Sequence, residues 1–185
     1  MKEFIDKIVS LDNIHQWEER DSVIKESVSQ HSFKVAAIAI FLLHRMLCNN
    51  ATFEKEVVMY AVLHDFDESI IKRDLAHPVK YNKLNGNKLR EVINEFVNKE
   101  LTESKLEFVN NFSHEVKVFV KLCDWIALMT FVSRNKNLGS REFTEEMQYC
   151  FKSLKIAQQN CFVVEKFFEN YDYIYNALEE IEHEW

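Results

Sequence analysis

Glycine occurs only at Gly86 and Gly139, and proline only at Pro78, in a chain of 185 residues. Tight hairpins need such residues for left-handed or pre-set backbone dihedrals, so a multi-stranded sheet would lack the turns to close it. Helices joined by short polar loops make no such demand. Leu, Ala, Glu and Lys are plentiful, and apolar residues recur at helical spacing. The expected fold is therefore all-α, a single helical bundle over residues 1–185 with a substantial core.

The same periodicity isolates residues that do not belong on an apolar face. His31, Val35, Ile38 and Leu42 share one face of a helix, as do Phe53, Val57, Ala61 and His64. Asp124 falls in the stripe Val116, Val120, Ala127, Phe131. An unpaired carboxylate in such surroundings costs on the order of several kcal/mol, so a cation is expected beside it. With Asp65, next to His64, these residues offer two imidazoles and two carboxylates from three helices. That nitrogen and oxygen set suits one divalent metal ion, Mn2+ or Co2+ first, with Mg2+, Fe2+ and Zn2+ as alternatives. Four protein ligands leave coordination positions for water or phosphate.

The order His, then His-Asp, then Asp resembles the HD-domain phosphohydrolase superfamily. The chain reads WEERDSVIKESVSQHS from Trp17 to Ser32, HDFDESIIKRDLAHPVKY from His64 to Tyr81, and VKLCDWIAL from Val120 to Leu128. These segments are similar to the bacterial 5'-deoxynucleotidase branch, the YfbR-like proteins. There a Trp-and-Arg segment runs into SVSxHS, and an HDxxE helix end runs into DLPTPVKY. The resemblance extends to Leu128; beyond it only length and helical character match. It implies an HD-domain bundle, a metal held by His31, His64, Asp65 and Asp124, and hydrolysis of a small-molecule nucleotide, a 2'-deoxyribonucleoside 5'-monophosphate.

The resemblance also implies roles around that metal. Glu68 and Asp74 would serve water activation and proton transfer, although Asp74 stands one residue further from His64 than in the family pattern. Glu68 follows His64 by one helical turn, which would bring it to the same side. Trp17 would press on the sugar where a 2'-hydroxyl would otherwise sit. An Arg beside that Trp meets the phosphate in the family; here Gln16 precedes Trp17, so Arg20 takes the duty or the phosphate contact differs. Lys80 and His77 fall in the segment that matches a pocket wall, where Lys80 could neutralise a second phosphate.

Two other readings use the same residues. A nucleoside di- or triphosphate phosphohydrolase, acting on modified or antibiotic nucleotides among others, is kept open by Gln16. A non-catalytic, metal-bound nucleotide sensor or scaffold would not need the additional carboxylates Glu68 and Asp74. The formal charge of −7 disfavours polymeric nucleic acid as a partner. The longest apolar run, Val35 to Leu43, is too short to cross a bilayer, and the charged start from Met1 to Lys7 is no secretory signal. Cys48, Cys123, Cys150 and Cys161 lack C-x-x-C spacing and read as free thiols in a reducing cytoplasm. A homodimer is common in the family, and the aromatic segment from Phe162 to Tyr175 suits an interface as well as a core.

Along the chain, a helix is expected over residues 2–11 and irregular structure over 12–26. Ser27 and Gln30 can form a capping box opening a helix to about Leu47, apolar nearly all round and so the most buried of the bundle. A third helix runs from Phe53 to Phe66, and 67–85 is irregular. A helix or broken pair covers 88–110, and Ser113 opens the helix that carries Asp124 and ends at Asn137-Leu138-Gly139. Two more, over 144–159 and from Cys161 onward, complete the bundle.

Overall fold

The computed structural model describes residues 1–18, 20–45, 50–74, 86–140, 143, 148–150 and 152–156, with residues 86–90 through their backbone alone. Helix α1 is Lys2–Ser10 and continues into a 3-10 turn, Leu11–Asn13. Then come α2 Val28–Arg45, α3 Ala51–Leu63, α4 Phe66–Ile71, α5 Gly86–Glu103, a 3-10 turn Glu107–Val109, and α6 His114–Asn137. Residues 148–150 and 152–156 are helical too. The described residues contain no strand, only an isolated antiparallel bridge between His15 and Ser27. The fold is all-α.

Local chemistry explains where the helices begin and end. The Ser27 N–H donates to Gln30 Oε1 at 3.1 Å, and the Gln30 N–H donates back to Ser27 Oγ at 3.3 Å. This reciprocal cap starts α2 where the sequence predicts. Asn50 Oδ1 accepts from the Phe53 N–H at 3.1 Å, which moves the start of α3 ahead of the expected Phe53. Ser113 caps α6 through the Val116 N–H at 3.3 Å. Gly139 at φ +98° closes the far end, its N–H donating to the Lys136 carbonyl at 2.7 Å, in a backbone region that glycine enters without strain.

The expected helix over 53–66 does not run through, and the expected irregular stretch is helical as far as Ile71. α3 stops at Leu63, His64 and Asp65 form a turn, and α4 restarts at Phe66. Packing forces the break. Phe66 is 1% exposed and lies with Leu63, Ile70, Leu101 and Val109 in a second core, where Phe4 of α1 stacks on it at 5.5 Å between ring centroids. Of the two alternatives for 88–110, one helix or a broken pair, the chain takes the broken form, with Lys105 at φ +57° between Glu103 and the following 3-10 turn. Residues 46–49, 75–85 and the segment from Cys161 onward lie outside the described residues, and 144–159 is described only in part.

The main core joins α2, α3 and α6 through Val35, Ala39, Leu42, Val57, Ala61, Phe119, Val120 and Ala127. α2 is not buried all round, contrary to expectation: Phe33, Ile40 and Phe41 are exposed, while Val35, Ala39 and Leu42 carry its packing in the main core. Cys123 is a buried free thiol and Cys150 is buried, while Cys48 and Cys161 lie outside the described residues. No described helix is long and apolar enough to cross a membrane.

Phe66 joins the second core to the turn that carries His64 and Asp65. Phe66→Ala should lower unfolding stability by about 3–5 kcal/mol, read from urea melts; an unchanged midpoint would contradict this packing.

Candidate metal centre

His31 sits early in α2, His64 and Asp65 form the turn between α3 and α4, and Asp124 lies midway along α6. One ligand atom from each of His31, His64 and Asp65 lies within 4.8 Å of the other two. Asp65 Oδ2 is 3.1 Å from His64 Nε2 and 3.9 Å from His31 Nε2. Asp124 joins through the other imidazole, its Oδ1 2.9 Å from His31 Nε2 and its Oδ2 2.5 Å from Lys121 Nζ. Thus three of the sequence-predicted ligands converge directly, and the fourth touches one of them.

The donor set fits a divalent ion. Two ligands each about 2.1 Å from a shared ion lie about 3–4 Å apart, the separations found around Asp65 Oδ2. His64 Nδ1 is 2.9 Å from the Ala61 carbonyl and donates to it, which leaves Nε2 as the inward nitrogen. That Nε2 atom is buried beside Asp65 yet lacks the alignment of a hydrogen bond, as two ligands of one ion would.

Charge points the same way. Burial works to lower the pKa of His31, but hydrogen bonds to Asp124 and Glu26, with the charges of Asp124 and Asp65, override it and push the value up to about 10. His64 is also raised: burial opposes the shift, and Asp65 and Asp124 outweigh it. Burial pushes Asp124 upward, yet Lys121, His31 and His64 hold its carboxyl well below the usual range. The carboxylates draw positive charge onto the imidazoles, and a metal ion would supply that charge instead.

Two contacts to this cluster fall outside the residues that the sequence singled out. Glu26 is only 3% exposed, with Oε1 3.5 Å from His31 Nδ1 and Oε2 paired with Lys34. It stands in an irregular segment, where no periodicity marks a residue as buried. Lys121 precedes Asp124 at the i, i+3 helical spacing, a signal that was available.

The remaining expected site residues divide. Gln16 donates from Nε2 to Asp65 Oδ2 at 3.2 Å, so its side chain is held against a candidate ligand. Trp17 has φ +59°, a left-handed conformation unusual for an aromatic residue, and its N–H donates to Asp74 Oδ2 at 2.8 Å. Its ring meets Phe143 edge-on at 5.9 Å. The Arg20 N–H donates to the Trp17 carbonyl at 2.9 Å, closing the same turn. Glu68 lies in the first turn of α4 rather than on an extended α3, and is 2% exposed, with its N–H on the Asp65 carbonyl at 3.1 Å. Lys80 and His77 lie outside the described residues.

A family model described as 5'-deoxynucleotidase YfbR-like matches residues 3–174. The chain belongs to this family of HD-domain phosphohydrolases. Among curated proteins, a 4'-phosphooxetanocin A phosphatase from Priestia megaterium is 28% identical over 198 residues, covering 95% of this chain and 99% of the relative. Two solved structures share the fold. A cyanophage S-2L HD phosphohydrolase, DatZ, bound to dA and one catalytic Zn2+ ion, aligns with TM-score 0.69 at 14% identity, over 95% of this chain and 96% of that one. An HD-domain phosphohydrolase from Listeria innocua aligns with TM-score 0.68 at 19% identity, over 92% of this YfbR-like chain and 86% of its own.

Asp74→Ala should remove the acceptor that holds the Trp17 turn, lowering stability by about 1.5–3 kcal/mol, the range for a hydrogen bond to a charged group. Urea unfolding of the two proteins checks this, and equal midpoints would contradict it.

Proposed function

We propose that the chain is a divalent-metal-dependent phosphohydrolase that converts 2'-deoxyribonucleoside 5'-monophosphates to nucleoside and inorganic phosphate. The observation that carries this reading is the convergence of His31, His64 and Asp65, with Asp124 against His31, in a YfbR-like chain. A divalent ion held by these residues supplies Lewis acidity toward a phosphate oxygen and acidifies water toward neutral pH. Mn2+ or Co2+ is the proposed ion, with Mg2+, Fe2+ and Zn2+ as alternatives.

The chain's own residues are proposed to do the rest. Glu68, in the turn of helix that follows Asp65, takes the proton from the attacking water. Arg20 and Lys80 balance charge on the phosphoryl oxygens, a guanidinium being suited to bidentate contact. Trp17 supplies a flat wall against the sugar at C2', and Asp74 keeps that wall in place by accepting the Trp17 N–H. A ribose hydroxyl at C2' would clash with the ring, which gives a preference for deoxyribose. The buried free thiol of Cys123 suits a reducing, cytoplasmic setting.

A second reading has support of its own. Gln16 is engaged by Asp65, and the curated relative is a phosphatase of a modified nucleotide, 4'-phosphooxetanocin A. A substrate with an altered sugar, or with more than one phosphate, is therefore the proposed alternative.

A phosphate-release screen over ribo- and deoxyribonucleotides at each phosphorylation level, run with Mn2+, Co2+, Mg2+ and Zn2+, separates the two. The leading reading expects dAMP and its congeners to outpace AMP and to yield nucleoside and phosphate. Release of pyrophosphate or tripolyphosphate from dADP or dATP would favour the alternative, and silence across the panel would defeat the leading reading and the di- and triphosphate form of the alternative. Asp124→Ala should reduce turnover to background with its helical circular dichroism intact. Full activity in that variant would remove Asp124 from the mechanism.

A further inference from the structure

We propose that Gln16 and Glu26 work as one positioning unit that aims two candidate ligands, Asp65 and His31, and so sets how tightly the centre holds its ion. The inference rests on the metal reading above. Its basis is the bridge between His15 and Ser27. The Gln16 N–H donates to the Glu26 carbonyl at 2.8 Å, and the Val28 N–H donates to the Ile14 carbonyl at 2.8 Å. These bonds lock Gln16 and Glu26 side by side immediately ahead of α2.

From this clip the two side chains reach ligands on different elements. Glu26 Oε1 faces His31 Nδ1 at 3.5 Å, on α2. Gln16 Nε2 reaches Asp65 Oδ2 at 3.2 Å, in the turn after α3. The bridge therefore fixes the distance between two groups that must meet at one ion.

Each contact has a definite chemical effect. A carboxylate oxygen 3.5 Å from His31 Nδ1 favours the proton on that nitrogen by its charge and leaves the lone pair on Nε2, the nitrogen that faces Asp65 and Asp124. Lys34, on the other oxygen of Glu26, holds the carboxylate in place and offsets its charge. Gln16 donates to Oδ2, the oxygen that faces both inward imidazole nitrogens. A carboxylate oxygen has two lone pairs, so one can meet the amide while the other meets the ion. The amide is neutral, and it orients Asp65 without placing a positive charge next to a divalent cation. Glu26 is a carboxylate only 3% exposed, a placement that packing alone would not favour.

The experiment uses the full chain stripped of metal. Mn2+ and Co2+ are titrated by calorimetry, and Co2+ binding is followed by visible absorption, which reads ligand geometry without turnover. The proteins are the unsubstituted chain, Glu26→Gln, Gln16→Leu and, as a ligand control, His64→Ala. Glu26→Gln and Gln16→Leu should each weaken metal binding about 10–100-fold and alter the Co2+ band, the range for residues behind the ligands. Unchanged Kd and spectrum in both variants, with tight binding by the unsubstituted chain and loss in His64→Ala, would overturn the inference alone. A fall in the metal-free Tm with Kd and spectrum intact would make the pair merely structural and overturn it equally. No saturable binding by the unsubstituted chain would overturn the metal reading and this inference together. Should Glu26→Gln fail to fold, Gln16→Leu at the half-buried position carries the test through the same readouts.

Discussion

Asp65 and Asp124 stand between helices whose facing sides are otherwise apolar, and their charge has to be met there. The response is visible in the neighbouring groups. His31 and His64 are drawn toward the protonated form, and Lys121 closes on Asp124 from the outer side. Two imidazoles flanked by two carboxylates form a polar island that hydrophobic packing would eject unless something cationic compensated it. The island sits where α2, α6 and the turn between α3 and α4 meet, beside the apolar core that joins α2, α3 and α6.

The turn at His64 and Asp65 is where this requirement meets the core. A straight helix through residue 66 would have kept Phe66 on the axis of α3, away from Phe4 and Leu101. Ending α3 at Leu63 lets Phe66 and Ile70 fill a second core under α1 and α5. It also leaves the His64 and Asp65 side chains at a helix junction, free of the crowding within a continuous helix. The strength of the Phe66 packing and the convergence of the ligand pair on His31 are two effects of one break.

The segment ahead of α2 meets the cluster from the other direction. Its backbone is held by the His15–Ser27 bridge, and Trp17 sits in a left-handed conformation fixed by the Asp74 carboxylate. A non-glycine residue kept at positive φ requires outside restraint, and such restraint is characteristic of places where a side chain must be presented in one orientation. Asp74 is thus tied to the segment ahead of α2 through Trp17. A motif could name this carboxylate but not its partner.

The all-α class was legible because two glycines and one proline cannot furnish a sheet with turns, and because apolar residues recur at helical spacing. His31, His64 and Asp124 were legible for the converse reason, as polar groups in stripes where polarity has a price, and Asp65 through its adjacency to His64. Helix starts at Ser27 and Ser113 followed from caps that act over three residues. The break at His64, the burial of Glu68 and the exposed face of α2 did not follow, since each depends on which distant element packs alongside. Glu26 and the altered partner of Gln16 were beyond reach for the same reason. A sequence determines which chemical groups must find partners, because polarity and periodicity are local; only the tertiary structure decides which partner each one finds, because hydrogen bonds and ion pairs form between segments far apart in the chain.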